Sequence, residues 1–194
     1  IIALFLDMAT VYSVNHLSAV PLVLNHVLHA LFLSCIDLII FMLCQYILNI
    51  AGAIPNTLWK RIALVTPFLA NEIILFSTMH TLEYVAGSET NYSMGIPAYT
   101  CFATAFVYML VSIVMFVRRW RNIEHHKRTS ISTFLIVIMA VTTLQMIFPE
   151  LLITSLAETL AILGIYLNLE DPALKQLSKF HKETVLAFAT LIEN

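Results

Sequence analysis

RRWRNIEHHKR, residues 118–128, sets Arg118, Arg119, Arg121, Lys127 and Arg128 between two apolar runs. Arginine and lysine beside a membrane span are retained on the cytoplasmic side. With this loop inside the cell, counting outward puts Lys60 and Arg61 on the same side, and Lys175, Lys179 and Lys182 with them. All ten basic residues then fall on one side, and the alternate loops carry none. A soluble core gives no reason for such a pattern. The expectation is an integral membrane protein with its C-terminus in the cytoplasm and the lipid bilayer as its first partner.

Composition agrees. Of 194 residues, 60% are hydrophobic and 11% charged, against roughly a quarter charged in soluble domains. The net charge is -2 with the basic residues held in short loops, which excludes a nucleic-acid surface. Cys35, Cys44 and Cys101 all lie inside apolar runs without a CxxC pair and read as small packing residues.

A crossing helix needs roughly 20 apolar residues, and six segments qualify or nearly qualify: residues 1–14, 22–50, 62–81, 97–117, 131–148 and 151–169. The first is short and reads as the tail of a cut span, so the chain is expected to be a fragment. Trp59, Lys60 and Arg61 anchor the third, and Trp120 takes the matching position after the fourth. Residues 87–95, GSETNYSMG, read as the longest external loop. Pro149 and Glu150 leave only a tight turn between the fifth and sixth spans. Beyond them Asp171 suits an N-cap and Pro172 the first residue of a new helix. Leu174, Leu177, His181, Val185, Phe188 and Ile192 then recur at intervals of three and four, one buried helical stripe.

The fold class expected is therefore all-α: a polytopic transmembrane bundle over residues 1–169, followed by a cytoplasmic amphipathic helix over residues 170–194. That helix needs a partner for its apolar face. Its twin in a homodimer, or a further domain, would serve.

Ionisable groups at membrane depth cost a few kcal/mol by insertion scales, so each marks a candidate site. At ~100° per residue, His26, His29 and Asp37 share a narrow sector of the second span. Glu72 and Glu83 share a face of the third, with His80 near it and Asn71 adjoining. Read functionally, His26, His29, His80 and Glu83 line a pocket for an unidentified small ligand or ion in the outer half of the bundle, with Asp37 and Glu72 deeper. Read structurally, the same groups are interhelical hydrogen bonds that specify packing. His125 and His126 read as solvated residues of the basic loop. No phosphate-binding glycine loop, GxSxG elbow or HExxH pair occurs, and no metal or catalytic residue is assigned. Glu72 and Glu83 lie about three turns apart, too far to share a reacting atom.

The segment YLNLEDPALKQLSKFHKETVLAFATLIEN, residues 166–194, carries a resemblance. Its opening YLNLEDP, at the end of the last membrane helix, is similar to the exit of the seven-helix sensor regions that precede diguanylate cyclase, histidine kinase and HD-GYP domains in Firmicutes. Its closing ETVLAFATLIEN resembles the first helix of HD-GYP cyclic-di-GMP phosphodiesterases. The resemblance implies a bacterial cytoplasmic membrane, six of seven helices present, and a sensor that relays a stimulus through Asp171, Pro172, Leu177 and Phe188 to a cytoplasmic output domain. That domain would be a cyclic-di-GMP phosphodiesterase holding its own divalent metal. The family's metal-binding histidines have no counterpart among these residues, so no cofactor is expected within them. A diguanylate cyclase or histidine kinase sensor, or a transporter with Asp37, Glu72 and His80 on a proton or substrate path, are the alternatives.

Overall fold

The apolar runs form helices because little within them competes: glycine is scarce, and among the described residues Pro21 and Pro97 fall at helix starts, Pro55 in the segment between two helices, and only Pro67 inside a span. In the computed structural model, α1 comprises Ile2–Asn15, α2 Leu22–Ile50, α3 Leu58–Thr78, α4 Ile96–Arg118 and α5 His125–Ile147. Short 3₁₀ turns follow α3 (Met79–Thr81) and α4 (Trp120–Asn122). The structure describes residues 2–87, 90–123 and 125–148, and nine scattered helical positions beyond them, namely 156, 159, 160, 163, 179–181, 183 and 184. The sixth span and the C-terminal relay helix, with Asp171, Pro172, Leu177 and Phe188, otherwise lie outside the described residues.

Among the described residues, four helices are long and apolar enough to cross a membrane. The longest, α2, has 29 residues, about 43 Å at the helical rise. Their outward faces are apolar: Ile73 is 71% exposed, Leu110 63% and Ile136 64%. Monomeric soluble proteins do not carry contiguous apolar surface on that scale, and lipid is the solvent that suits it. By contrast α1, with 14 residues, spans only about 21 Å.

Helix α2 is central, packing against α1, α3 and α4, while α5 packs on α4. Among the described residues, three apolar clusters hold the helices together. Leu43, Ile47, Phe116, Ile123, Ile131 and Leu135 join α2, α4 and α5 near the basic loops. Phe41, Cys44, Leu48 and Tyr108 pack over the same stretch of α2 toward Leu64, Val65 and Phe68 of α3, and Ala30, Leu75, Met79 and Leu82 lie at the opposite end.

Three boundaries differ from the sequence expectation. Helix α3 begins at Leu58, so Trp59, Lys60 and Arg61 form its first turn instead of preceding it. Helix α5 begins at His125, because no glycine or proline interrupts residues 125–148 and the helical run extends back through the basic segment; His125 and His126 are helical. The stretch read as an external loop contains a strand. β2 (Tyr92–Met94) pairs antiparallel with β1 (Glu83–Val85), with Glu83 opposite Met94, Tyr84 opposite Ser93 and Val85 opposite Tyr92. Gly95 makes the return into α4 possible. Its φ is +146°, and a Cβ there would stand 2.6 Å from the Thr81 carbonyl oxygen, so only a residue without a side chain fits. Asn15, at the end of α1, ties the hairpin down by donating from Nδ2 to Thr90 Oγ1 (3.0 Å) and accepting from the Asn91 amide (3.2 Å).

Proline also shapes α3. Pro67 lies inside it, where the ring clashes with the preceding turn and opens the helix. The Tyr108 hydroxyl of α4 fills the opening, accepting from the Phe68 amide (3.0 Å) and donating to the Leu64 carbonyl (2.8 Å). Those two backbone groups are each other's i→i−4 partners in an unbroken helix. Phe41 stacks on Phe68 (5.3 Å between ring centroids) and tilts against Tyr108 (5.5 Å), closing the contact on its third side.

Candidate ligand-binding site

Two features occupy the half of the bundle nearer the hairpin: a buried polar layer and a cavity. They share one residue.

The polar layer joins α2, α3 and α4. Asp37, fully buried, accepts a hydrogen bond at Oδ2 from Asn71 Nδ2 and another at Oδ1 from the Cys101 thiol at 3.1 Å. One turn nearer the hairpin, Ser34 donates to Glu72 Oε2 at 2.7 Å. Two acceptors in this layer, Asn71 Oδ1 and Glu72 Oε1, are buried without a hydrogen-bond partner among the described residues. The α2 stripe of polar residues therefore meets the α3 stripe, as the helical spacing predicts, and α4 contributes a thiol.

The cavity, of about 170 Å³, is lined by α1, α2, α4, α5 and β2. Apolar side chains such as Phe32, Ile36, Ile40, Phe102, Ala105 and Ile138 form most of its wall. Polar groups enter it from separate elements: Asp7 and Thr10 from α1, His29 from α2, Thr142 and Gln145 from α5. His29 Nδ1 lies 2.9 Å from the Asn25 carbonyl. A carbonyl only accepts, so Nδ1 carries the proton in this contact. Cys101 also lines the cavity and so connects its wall to Asp37.

The other residues singled out in the sequence fall elsewhere. His26 is half-buried and stacks on Tyr84 of β1 (6.3 Å), which His29 meets edge-on from the next turn (5.8 Å). Burial of Tyr84 pushes its phenol above the ordinary value, so the ring remains protonated between the two histidines. His80 and Glu83 are exposed, because α3 gives way at Thr78 to a 3₁₀ turn and then to β1, and both residues leave the helical phase. Of the six pocket candidates, the structure brings His29 to the cavity and Asp37 with Glu72 to the polar layer. It places His26 beside them, and His80 and Glu83 at the surface.

Sequence reasoning did not single out Asp7, Thr10 or Tyr84, and it read Cys101 only as a small packing residue, whereas the thiol donates to Asp37. Asp7, an ionisable residue in an apolar run and only 8% exposed, satisfied the same criterion as Asp37. For Cys101 and Tyr84 no local signal existed.

Among the described residues, no group of three or more His, Cys, Asp and Glu side chains is placed to hold a metal ion. The arrangement can bind a small, largely apolar molecule that carries one or two hydrogen-bonding groups. An apolar cavity of roughly 150 Å³ accommodates benzene, which sets the size of such a ligand near one aromatic ring.

No family model matches the chain, and no curated protein or solved structure matches it either.

Proposed function

We propose that the bundle is a membrane-embedded sensor that takes up a small, mainly apolar ligand and relays its binding to a C-terminal cytoplasmic output domain, an HD-GYP-type cyclic-di-GMP phosphodiesterase. The observation that carries this reading is the cavity at the hairpin end. It brings Asp7, His29 and Gln145 from three helices to one apolar space, and pockets of that make-up are the usual form of a small-molecule site. Its wall includes Cys101, which holds Asp37, so a ligand that displaced α4 would disturb the packing of α2 and α3 as well. A relay needs two arrangements that the ligand binds unequally, and a polar layer with orphaned acceptors can exchange partners between such arrangements. The one-sided lysines and arginines support an orientation with Lys60 and residues 118–128 in the cytoplasm. The YLNLEDP exit supports the kind of output domain.

Filling the cavity tests the reading without knowledge of the ligand. Ala105→Phe should mimic the occupied state and change cyclic-di-GMP hydrolysis by the full-length protein several-fold. One residue inserted after Pro172 rotates the downstream helix by ~100° and should abolish that response, whereas seven inserted residues nearly restore the phase and should retain it. Unchanged hydrolysis in a well-folded Ala105→Phe protein would remove the cavity from the signalling path. Equal responses from the two insertions would reduce the segment to a tether.

Asp37 and Glu72 favour a second reading, proton-coupled transport, since two carboxylates belong to one buried polar layer on adjacent helices. His80, being exposed, takes no part in that layer. Proton uptake by reconstituted vesicles that Asp37→Asn abolishes would support transport over sensing.

A further inference from the structure

Near the basic loops a second cavity, of about 620 Å³, opens between α3, α4 and the turn at the end of α2. Its mouth carries Lys60 from the first turn of α3 and Arg118 and Arg119 from the end of α4, and among the described residues no acidic side chain lines it. Among the described residues, none of these three cations has an ion pair or a side-chain hydrogen bond. The interior is apolar, walled by Leu64, Val107, Val111 and Met115, and it ends at Pro67 and Tyr108. Ten residues of α4 separate Tyr108 from Arg118, about 15 Å along the helix. That is half of a hydrocarbon core of about 30 Å, the depth of one leaflet.

We infer that this cavity is a site for one anionic phospholipid of the cytoplasmic leaflet, its phosphate on Lys60, Arg118 and Arg119 and an acyl chain lying between α3 and α4 as far as Tyr108. Charge selects the headgroup, since basic pockets between membrane helices on the cytoplasmic side hold anionic lipid headgroups. The long apolar interior selects against a soluble phosphate ester, whose remaining polar groups would find no partner there. The inference rests on the bilayer orientation proposed above, though not on what the bundle senses.

Trp59 and Trp120 are next in sequence to Lys60 and Arg119 and serve as reporters of lipid at this end of the bundle. The protein is reconstituted in phosphatidylcholine vesicles with increasing brominated phosphatidylglycerol, and tryptophan quenching is compared with that by brominated phosphatidylcholine. The anionic lipid should quench at about tenfold lower mole fraction. Arg118→Gln with Arg119→Gln should remove that preference, and so should Val111→Phe, which fills the interior and leaves the charge intact. Arg121→Gln with Lys127→Gln deletes the same charge from outside the cavity and should keep it. Equal loss from the two charge pairs would show diffuse surface attraction and overturn the site. Displacement by millimolar inorganic phosphate in detergent would assign the cations to a soluble anion and overturn the lipid. Accessibility of cysteines placed in the loops checks the orientation separately, so a failed quenching experiment with a correct orientation counts against the lipid site alone.

Discussion

Asp37 shows how much one side chain can organise between three helices. Both of its oxygens are taken, one by an amide from α3 and one by a thiol from α4. Asp37→Ala strands both donors in a dry interior, and a buried unsatisfied group costs about 1–3 kcal/mol. Interhelical bonds in membranes tend to the low end of such values, ~0.6 kcal/mol on average, so a total near 2 kcal/mol is expected. Asp37→Asn should cost less than half as much. Asn71 can turn its amide over, presenting its orphaned Oδ1 to the Nδ2 donor that the substitution introduces, while the carbonyl oxygen of the introduced amide keeps the thiol. Equilibrium unfolding in mixed micelles measures the pair, and equal losses would mean that the Asp37 oxygens hold nothing together. Asp37 was legible in the sequence because an ionisable residue in an apolar run stands out by its cost. Cys101 was not, since a thiol declares its partner only once α2 and α4 are known to cross there. His80 and Glu83 differ for the opposite reason: their spacing is α-helical, but a 3₁₀ turn carries His80 and a strand carries Glu83.

The helices themselves were readable from apolar run length and the absence of breakers, and α2, α4 and most of α3 fall within a few residues of expectation. The hairpin was hidden because three-residue strands leave no periodicity, and Gly95 announces a turn without saying what it turns around. Pro67 is also visible in the sequence, whereas its remedy lies on another element. Tyr108→Phe removes the hydroxyl that serves Phe68 N–H and Leu64 C=O. These two groups either rejoin, straightening α3 against the proline ring, or remain apart and unsatisfied. A loss of about 1–3 kcal/mol is expected. Pro67→Ala restores the ladder and makes the hydroxyl redundant, so Tyr108→Phe should cost much less in that background. A double-mutant cycle on thermal unfolding in detergent reads the coupling, and strict additivity would show that the tyrosine only fills space.

At the scale of the whole molecule the charge pattern makes the sharpest claim. If the lysines and arginines sit in the cytoplasm, cysteine at Asn122 should resist a membrane-impermeant thiol reagent in intact cells, and cysteine at Ser88 should react. The background for this labelling is Cys35→Ala, Cys44→Ala and Cys101→Ser, the serine keeping a donor for Asp37. The reverse pattern would invert the orientation and with it the lipid site. What the sequence could not provide at this scale is the placing of these two cavities, among the described residues, toward opposite ends of α4, because cavities arise from how helices cross and not from what each one contains. Tyr108 stands between them, its ring in the apolar core and its hydroxyl in the backbone of α3. The Phe68 amide proton is consequently a clock for the position of α4: withdrawal of the hydroxyl by an ångström along the line of the contact takes it from 3.0 Å to about 4 Å, beyond hydrogen-bonding reach. Deuterium would then enter at that one site sooner than at its neighbours, and a motion of an entire helix could be timed at a single nitrogen.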